Sequence, residues 1–181
     1  MTAPIGSFFK FLEDKKGKKL TGIDNLKYKL KYAPETLTKQ DNEIEGNLNL
    51  SDLTSIPKGF NPKVDGALYL NSLTSIPEGF NPKVDGSLVL SGLTSIPEGF
   101  NPKVGGSLGL NGLTSIPEGF NPTVNGSLYL SSLTSIPKGF NPKVGGYLYL
   151  VNWESNMTQE ELKKRFPNVK GIIYTKEWQH Q

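Results

Sequence analysis

Few residues of this chain could do chemistry, and their spacing says more than their identity. There is no cysteine, and the single histidine, His180, stands next to the C-terminal residue. Nucleophilic pairs of the Cys–His or Ser–His kind therefore have no credible members. Disulfides and thiolate metal sites are excluded outright. No loop of the form G-x-x-x-x-G-K-S/T is present to cradle a phosphate. Carboxylates do line up: Glu78, Glu98 and Glu118 recur every 20 residues, between Lys58 and Lys138. Such a column could gather a divalent cation. The lysines Lys63, Lys83, Lys103 and Lys143 recur on the same arc, however, and a solvated face with no metal is the expectation. No catalytic residue, no cofactor and no enzyme activity are expected.

What remains is contact chemistry. One column runs Tyr28, Asn49, Tyr69, Val89, Gly109, Tyr129, Tyr149; beside it run Ala67, Ser87, Ser107, Ser127, Tyr147, and then Asn71, Ser91, Asn111, Ser131, Val151. These positions vary while their neighbours repeat. Tyrosines on a rigid support give amphipathic contact area at low entropic cost, as binding surfaces favour. The candidate partner-contacting residues are Tyr69, Val89, Tyr129, Tyr147, Tyr149, Asn71, Asn111 and Trp153. The competing reading is aromatic packing across neighbouring strands with no partner involved. Trp153 has two readings of its own, as the edge of the patch or as core beneath a final helix.

These columns exist only if the chain stacks on itself, and the period says that it does. From Gly46 to Gly145 the sequence is five tandem copies of one 20-residue unit, with Leu-Thr-Ser-Ile-Pro starting at Leu53, Leu73, Leu93, Leu113 and Leu133. A fixed short period means a solenoid, in which each unit contacts mainly its neighbours. In the unit that starts at Gly66, Leu68 and Leu70 alternate with Ala67 and Tyr69, the pattern of a short strand with one buried face. Leu73, Ile76, Phe80 and Val84 then follow at spacings of three to four. Pro77, Gly79 and Pro82 forbid a helix there. The unit reads as an arc with tight corners that returns beneath its own start, so that successive strands pair in parallel, about 4.8 Å apart. The column of Gly46, Gly66, Gly86, Gly106 and Gly126 is expected at corners needing positive φ. The Asn-Pro column from Asn61 to Asn141 is expected to form an internal amide ladder, and the column that starts at Phe60 an aromatic spine.

Three regions follow. Residues 1–25 are expected to form an N-terminal helical cap, with Ser7 capping a short helix that carries Phe8, Phe11 and Leu12 on one face. The lysines Lys15, Lys16, Lys18 and Lys19 leave a membrane-surface or partner-binding helix as the alternative. Residues 26–150 are expected to form the solenoid, because counting back 20 from Leu48, Leu50 and Val64 gives Tyr28, Leu30 and Ile44, a degenerate first coil over 26–45. Residues 151–181 are expected to form a C-terminal cap. Thr158 and Glu161 make a capping box for a helix at about 159–166, with Met157 and Leu162 as a staple and Pro167 as its end. Val169, Gly171, Ile173 and Thr175 repeat the spacing of earlier strands, which predicts a last strand at about 171–175. The fold class is mainly β: a right-handed parallel β-solenoid of about eight coils with a short helix near each end.

Composition narrows the partners. The net charge is +3, yet acids interleave the lysines and Arg165 is the only arginine, so nucleic acid is not the expected partner. No stretch approaches the length of a membrane span, and a cytoplasmic protein is the expectation. An invariant threonine column, from Thr54 to Thr134, is similar to that of ice-binding solenoids. Thr and Ser are adjacent here, however, and should point apart.

The unit Leu-x-Leu-x-x-Leu-Thr-Ser-Ile-Pro-x-Gly-Phe resembles the short leucine-rich repeats of bacteria and bacteriophages, over roughly residues 26–175. It departs from them in lacking the usual Asn just after the strand, near Leu53 and its equivalents. The resemblance implies a solenoid of leucine-rich-repeat type, a protein partner and no catalysis. For phage members it implies a modulator or inhibitor of a host protein, acting in the host cytoplasm. The rival expectation is a structural or self-assembling protein that uses the same face as a homodimer interface.

Overall fold

The computed structural model describes residues 21–179. The expected helix at Ser7, the lysines at 15–19 and His180 lie outside the described residues. Within them the repeat winds into a parallel β-solenoid whose turns are 20 residues long and whose strands are leucine-rich. Every turn contributes two very short strands. One set, Glu43–Ile44, Lys63–Val64, Lys83–Val84, Lys103–Val104, Thr123–Val124 and Lys143–Val144, forms a six-stranded sheet. The other, Leu48–Asn49, Leu68–Tyr69, Leu88–Val89, Leu108–Gly109, Leu128–Tyr129, Leu148–Leu150 and Ile173–Thr175, forms a seven-stranded sheet.

Registry follows the repeat, Leu68 pairing with Leu48 and Leu88, and Tyr69 with Asn49 and Val89. Alternation then places Leu48, Leu50, Leu68, Leu70 and their equivalents inside at 0% exposure, with Asn49, Tyr69 and Val89 outside. Two corners close each turn. Leu73 N–H donates to Leu70 C=O at 3.3 Å, and Phe80 N–H to Pro77 C=O at 3.1 Å. The phenylalanines stack as expected: ring centroids are 6.4, 6.3 and 6.2 Å apart from Phe80 through Phe100 and Phe120 to Phe140. Phe166 meets the last of them edge-on at 6.0 Å.

The asparagine column is a ladder, though an exposed one. Asn81 N–H donates to Asn61 Oδ1 at 2.6 Å, and Asn121 N–H to Asn101 Oδ1 at 2.5 Å. The amide nitrogens of Asn61 and Asn101 reach the Gly79 and Gly119 carbonyls of the following turns at 3.1 and 3.0 Å.

The glycines divide differently from expectation. Positive φ occurs at Gly46 and at the second-corner glycines Gly59, Gly79, Gly99 and Gly119. Gly66, Gly86, Gly106 and Gly126 are not among them. Their requirement is the close approach of turns: a Cβ on Gly86 would lie 2.6 Å from the Gly66 carbonyl carbon and 2.8 Å from the Ala67 nitrogen.

The expected first coil is corrected. Residues 26–30 are not a strand. They belong to α1 (Gly22–Tyr32), opened by a reciprocal capping box between Thr21 and Asp24. No proline intervenes before Pro34, and Leu26 and Leu30, four apart, enter the core. An amphipathic helix therefore wins over a strand that only counting-back supported. The rung at Ile44, paired with Val64, is in the expected register. The solenoid has about five turns rather than eight.

At the other end α2 (Gln159–Arg165) replaces the Ile-Pro arc. Thr158 and Glu161 cap it reciprocally, and Leu162 and Phe166 anchor it at 0% exposure. Met157, the expected staple partner, is exposed. The last strand spans Ile173–Thr175 and pairs with Leu148–Leu150.

Candidate partner-binding face

Outward residues of the seven-stranded sheet form the face where the sequence places its candidate contacts. Near its C-terminal end the tyrosines touch. Tyr129 stacks on Tyr149 with centroids 4.6 Å apart and planes 6° from parallel, and Tyr149 stacks on Tyr174 at 4.8 Å and 6°. Strand spacing enforces this, because identical outward positions on successive rungs lie one hydrogen-bonded step apart. Tyr147, two residues before Tyr149 on the same strand, meets Tyr149 and Tyr174 edge-on at 6.3 and 5.9 Å. It is 44% exposed. Burial first, and then the neighbouring phenols Tyr129, Tyr174 and Tyr147, push the Tyr149 phenol above its ordinary value.

Tyr174 is the member that sequence reasoning missed. The signal was present, since the last strand's Val-x-Gly-x-Ile spacing puts the residue after Ile173 in the outward column. The pairing of Tyr149 with Tyr174 places it there. Tyr28, by contrast, leaves the column for α1, where it packs at 5.6 Å from Tyr32. Tyr69 and Val89 are half-buried on the face, but Tyr69 is separated from the cluster by the rungs of Val89 and Gly109. Asn71 donates to Ser51 Oγ at 3.2 Å. Asn111, beyond the Gly109 gap, buries its Oδ1 with no hydrogen-bond partner.

The serine column is structural. Ser87, Ser107 and Ser127 accept from the backbone N–H of Ser107, Ser127 and Tyr147 at 3.0–3.1 Å, so their hydroxyls are committed to stacking. Trp153 packs edge-on against Phe166 at 6.2 Å and rests against the core, with the Arg165 guanidinium 5.9 Å from its ring. It is half-buried there, beneath the C-terminal cap.

The charge distribution sets this face apart. Residues 66–77, 86–97, 106–117, 126–137 and 146–153 contain no Asp, Glu, Lys or Arg. The first turn carries Asp52, which pairs with Lys27 of α1 at 2.7 Å. Charges gather instead on the Ile-Pro-to-Val side, where Lys63 stands 3.9 Å from both Glu43 and Asp65. Among the described residues no cluster of His, Cys, Asp or Glu could hold a metal ion, and no helix is long and apolar enough to cross a membrane.

Compared with protein-family models, curated proteins and solved structures, the chain matches none.

Proposed function

We propose that this chain is a non-enzymatic protein-binding module that engages its partner through the outward face of the seven-stranded sheet. The observation that carries the reading is the packed cluster of Tyr129, Tyr147, Tyr149 and Tyr174 on a hydrogen-bonded support, uncharged over residues 126–137 and 146–153, with the Lys176–Glu154 pair following the last strand. Aromatic residues held in place lose little entropy on binding, and rungs without charges are desolvated cheaply. Val89, Tyr69, Asn71 and Asn111 extend the face toward the N-terminal rungs. The resemblance to short bacterial and phage leucine-rich repeats makes a host protein, met in the host cytoplasm, the partner class to test first.

The test is affinity capture from bacterial lysate with the full chain and with the variant Tyr129→Ser/Tyr149→Ser/Tyr174→Ser, read by mass spectrometry. A partner held by the parent should be lost by the variant, at least 100-fold, while the melting temperature moves by only a few degrees. Undiminished capture by a folded variant would refute the assignment of this face. A homodimer through the same face is the second reading. Its support is the missing charge, which lets two copies meet without like-charge repulsion, and light scattering of the purified chain over a concentration series decides it.

A further inference from the structure

The last rung of a solenoid is an exposed sheet edge, a template on which another strand can pair. In the last strand Leu148 N–H donates to Ile172 C=O at 3.1 Å, which turns the N–H and C=O of Ile173 away from the sheet. These groups are not left open. Gln159 Nε2 donates to Ile173 C=O at 2.7 Å, and Gln159 Oε1 accepts from Ile173 N–H at 3.4 Å. The primary amide thus meets the same two backbone groups that a further strand would pair with. One helical turn on, Lys163 Nζ donates to the carbonyls of Val169 at 2.8 Å, Lys170 at 2.9 Å and Gly171. Val169 N–H, on the terminal rung of the other sheet, is held by Phe166 C=O at 3.1 Å. Gln159 and Lys163, four apart, share one face of α2, while Leu162 and Phe166 seat the helix.

We infer that α2 is an end stop: Gln159 and Lys163 occupy the hydrogen-bonding edge of the final turn and keep it closed to a second copy of this chain. Two opened edges are identical, so they pair antiparallel about a two-fold axis, which closes after one step. Growth beyond a dimer is blocked because α1 covers the other end, with Leu26 and Leu30 in the core. The unit of association without the stop is therefore a dimer joined at the Ile173–Thr175 strands.

The experiment compares the full chain with Gln159→Ala/Lys163→Ala and with Lys163→Arg, by sedimentation velocity over a concentration series and by amide hydrogen exchange. The double variant should form a species of twice the parent's mass at concentrations at least 10-fold below any at which the parent does so. Lys163→Arg, which keeps donors for the carbonyls, should sediment like the parent. In Gln159→Ala alone, the Ile173 amide should exchange at least 10-fold faster while Leu148 stays protected. A double variant with Leu148 protected that sediments like the parent throughout would overturn the inference. So would unchanged exchange at Ile173, or assemblies larger than twice the parent's mass. If the double variant loses protection at Leu148, the single Gln159→Ala chain decides by both its mass and its Ile173 exchange. Masses are read relative to the parent, so association through the tyrosine face leaves the comparison intact.

Discussion

Replacing Gly86 by alanine in one chain and Gly79 by alanine in another separates two reasons for an invariant glycine. Gly79 has φ +78°, and a Cβ there would meet no heavy atom within 4 Å. Its cost is conformational alone, about 1–2 kcal/mol for a left-handed residue with a side chain. Gly86 sits where turns stack, and its Cβ would lie 2.6 and 2.7 Å from the Gly66 carbonyl carbon and oxygen. Those atoms are backbone and cannot rotate away, so the rung must open. Opening it strains the bonds from Gly86 N–H to Gly66 C=O, 3.0 Å, and from Gly106 N–H to Gly86 C=O, 2.7 Å. Two weakened ladder bonds at about 1 kcal/mol each, with about 1–3 kcal/mol of overpacking, put Gly86→Ala at about 3–5 kcal/mol. Urea denaturation followed by circular dichroism measures both, since a shifted midpoint at constant slope reports stability. Equal costs, or a larger cost at Gly79, would refute the argument that stacking rather than φ selects the Gly86 column.

Two further outcomes concern titration. Burial would raise the Asp41 carboxyl, but the Thr38 hydroxyl and N–H, each at 2.7 Å, and the Lys29 ammonium at 2.9 and 3.0 Å hold it below the usual carboxylate range. Its stabilisation is therefore complete above the unfolded value of about 3.9 and lost as pH falls through the lower folded value; Asp41→Asn should flatten the acid limb of the melting temperature below about pH 4. Tyr149, pushed upward by burial and by its three phenol neighbours, should ionise above the ordinary phenol value of about 10 in an ultraviolet titration. A raised folded value stabilises below the unfolded one, so stability falls as pH climbs past about 10, and Tyr149→Phe should lessen that fall.

Much of the architecture was legible because the period converts spacing into columns. Leu68 and Leu70 marked a strand, Pro77 and Gly79 a corner, Phe80 a spine and Thr158 with Glu161 a helix start. The errors share a cause, which is that a residue's column does not report its neighbours across the rungs. Counting back from Leu48 gave a strand at Tyr28, whereas the capping box at Thr21 and Asp24 makes a helix by purely local chemistry. The serine column reads as exposed surface until its hydroxyls are found holding the N–H of the next turn. Trp153 occupies a leucine position, and only the placement of Phe166 shows that the tryptophan packs against the core while staying half-buried. Tyr174 escaped notice because 25 residues, not 20, separate it from Tyr149, α2 having lengthened that turn.

The linear order of residues by itself determined that this protein is a stack. Identical letters 20 apart, with apolar residues alternating through each strand and Pro-Gly corners between, leave a parallel solenoid as the arrangement that buries the repeated leucine columns. Tertiary structure alone decided which glycines lie beneath another turn, which tyrosines meet and how the last edge is closed. Those outcomes depend on the roughly 4.8 Å between rungs and on how each end is covered. Such distances join residues a full turn apart, and no local run of sequence encodes them.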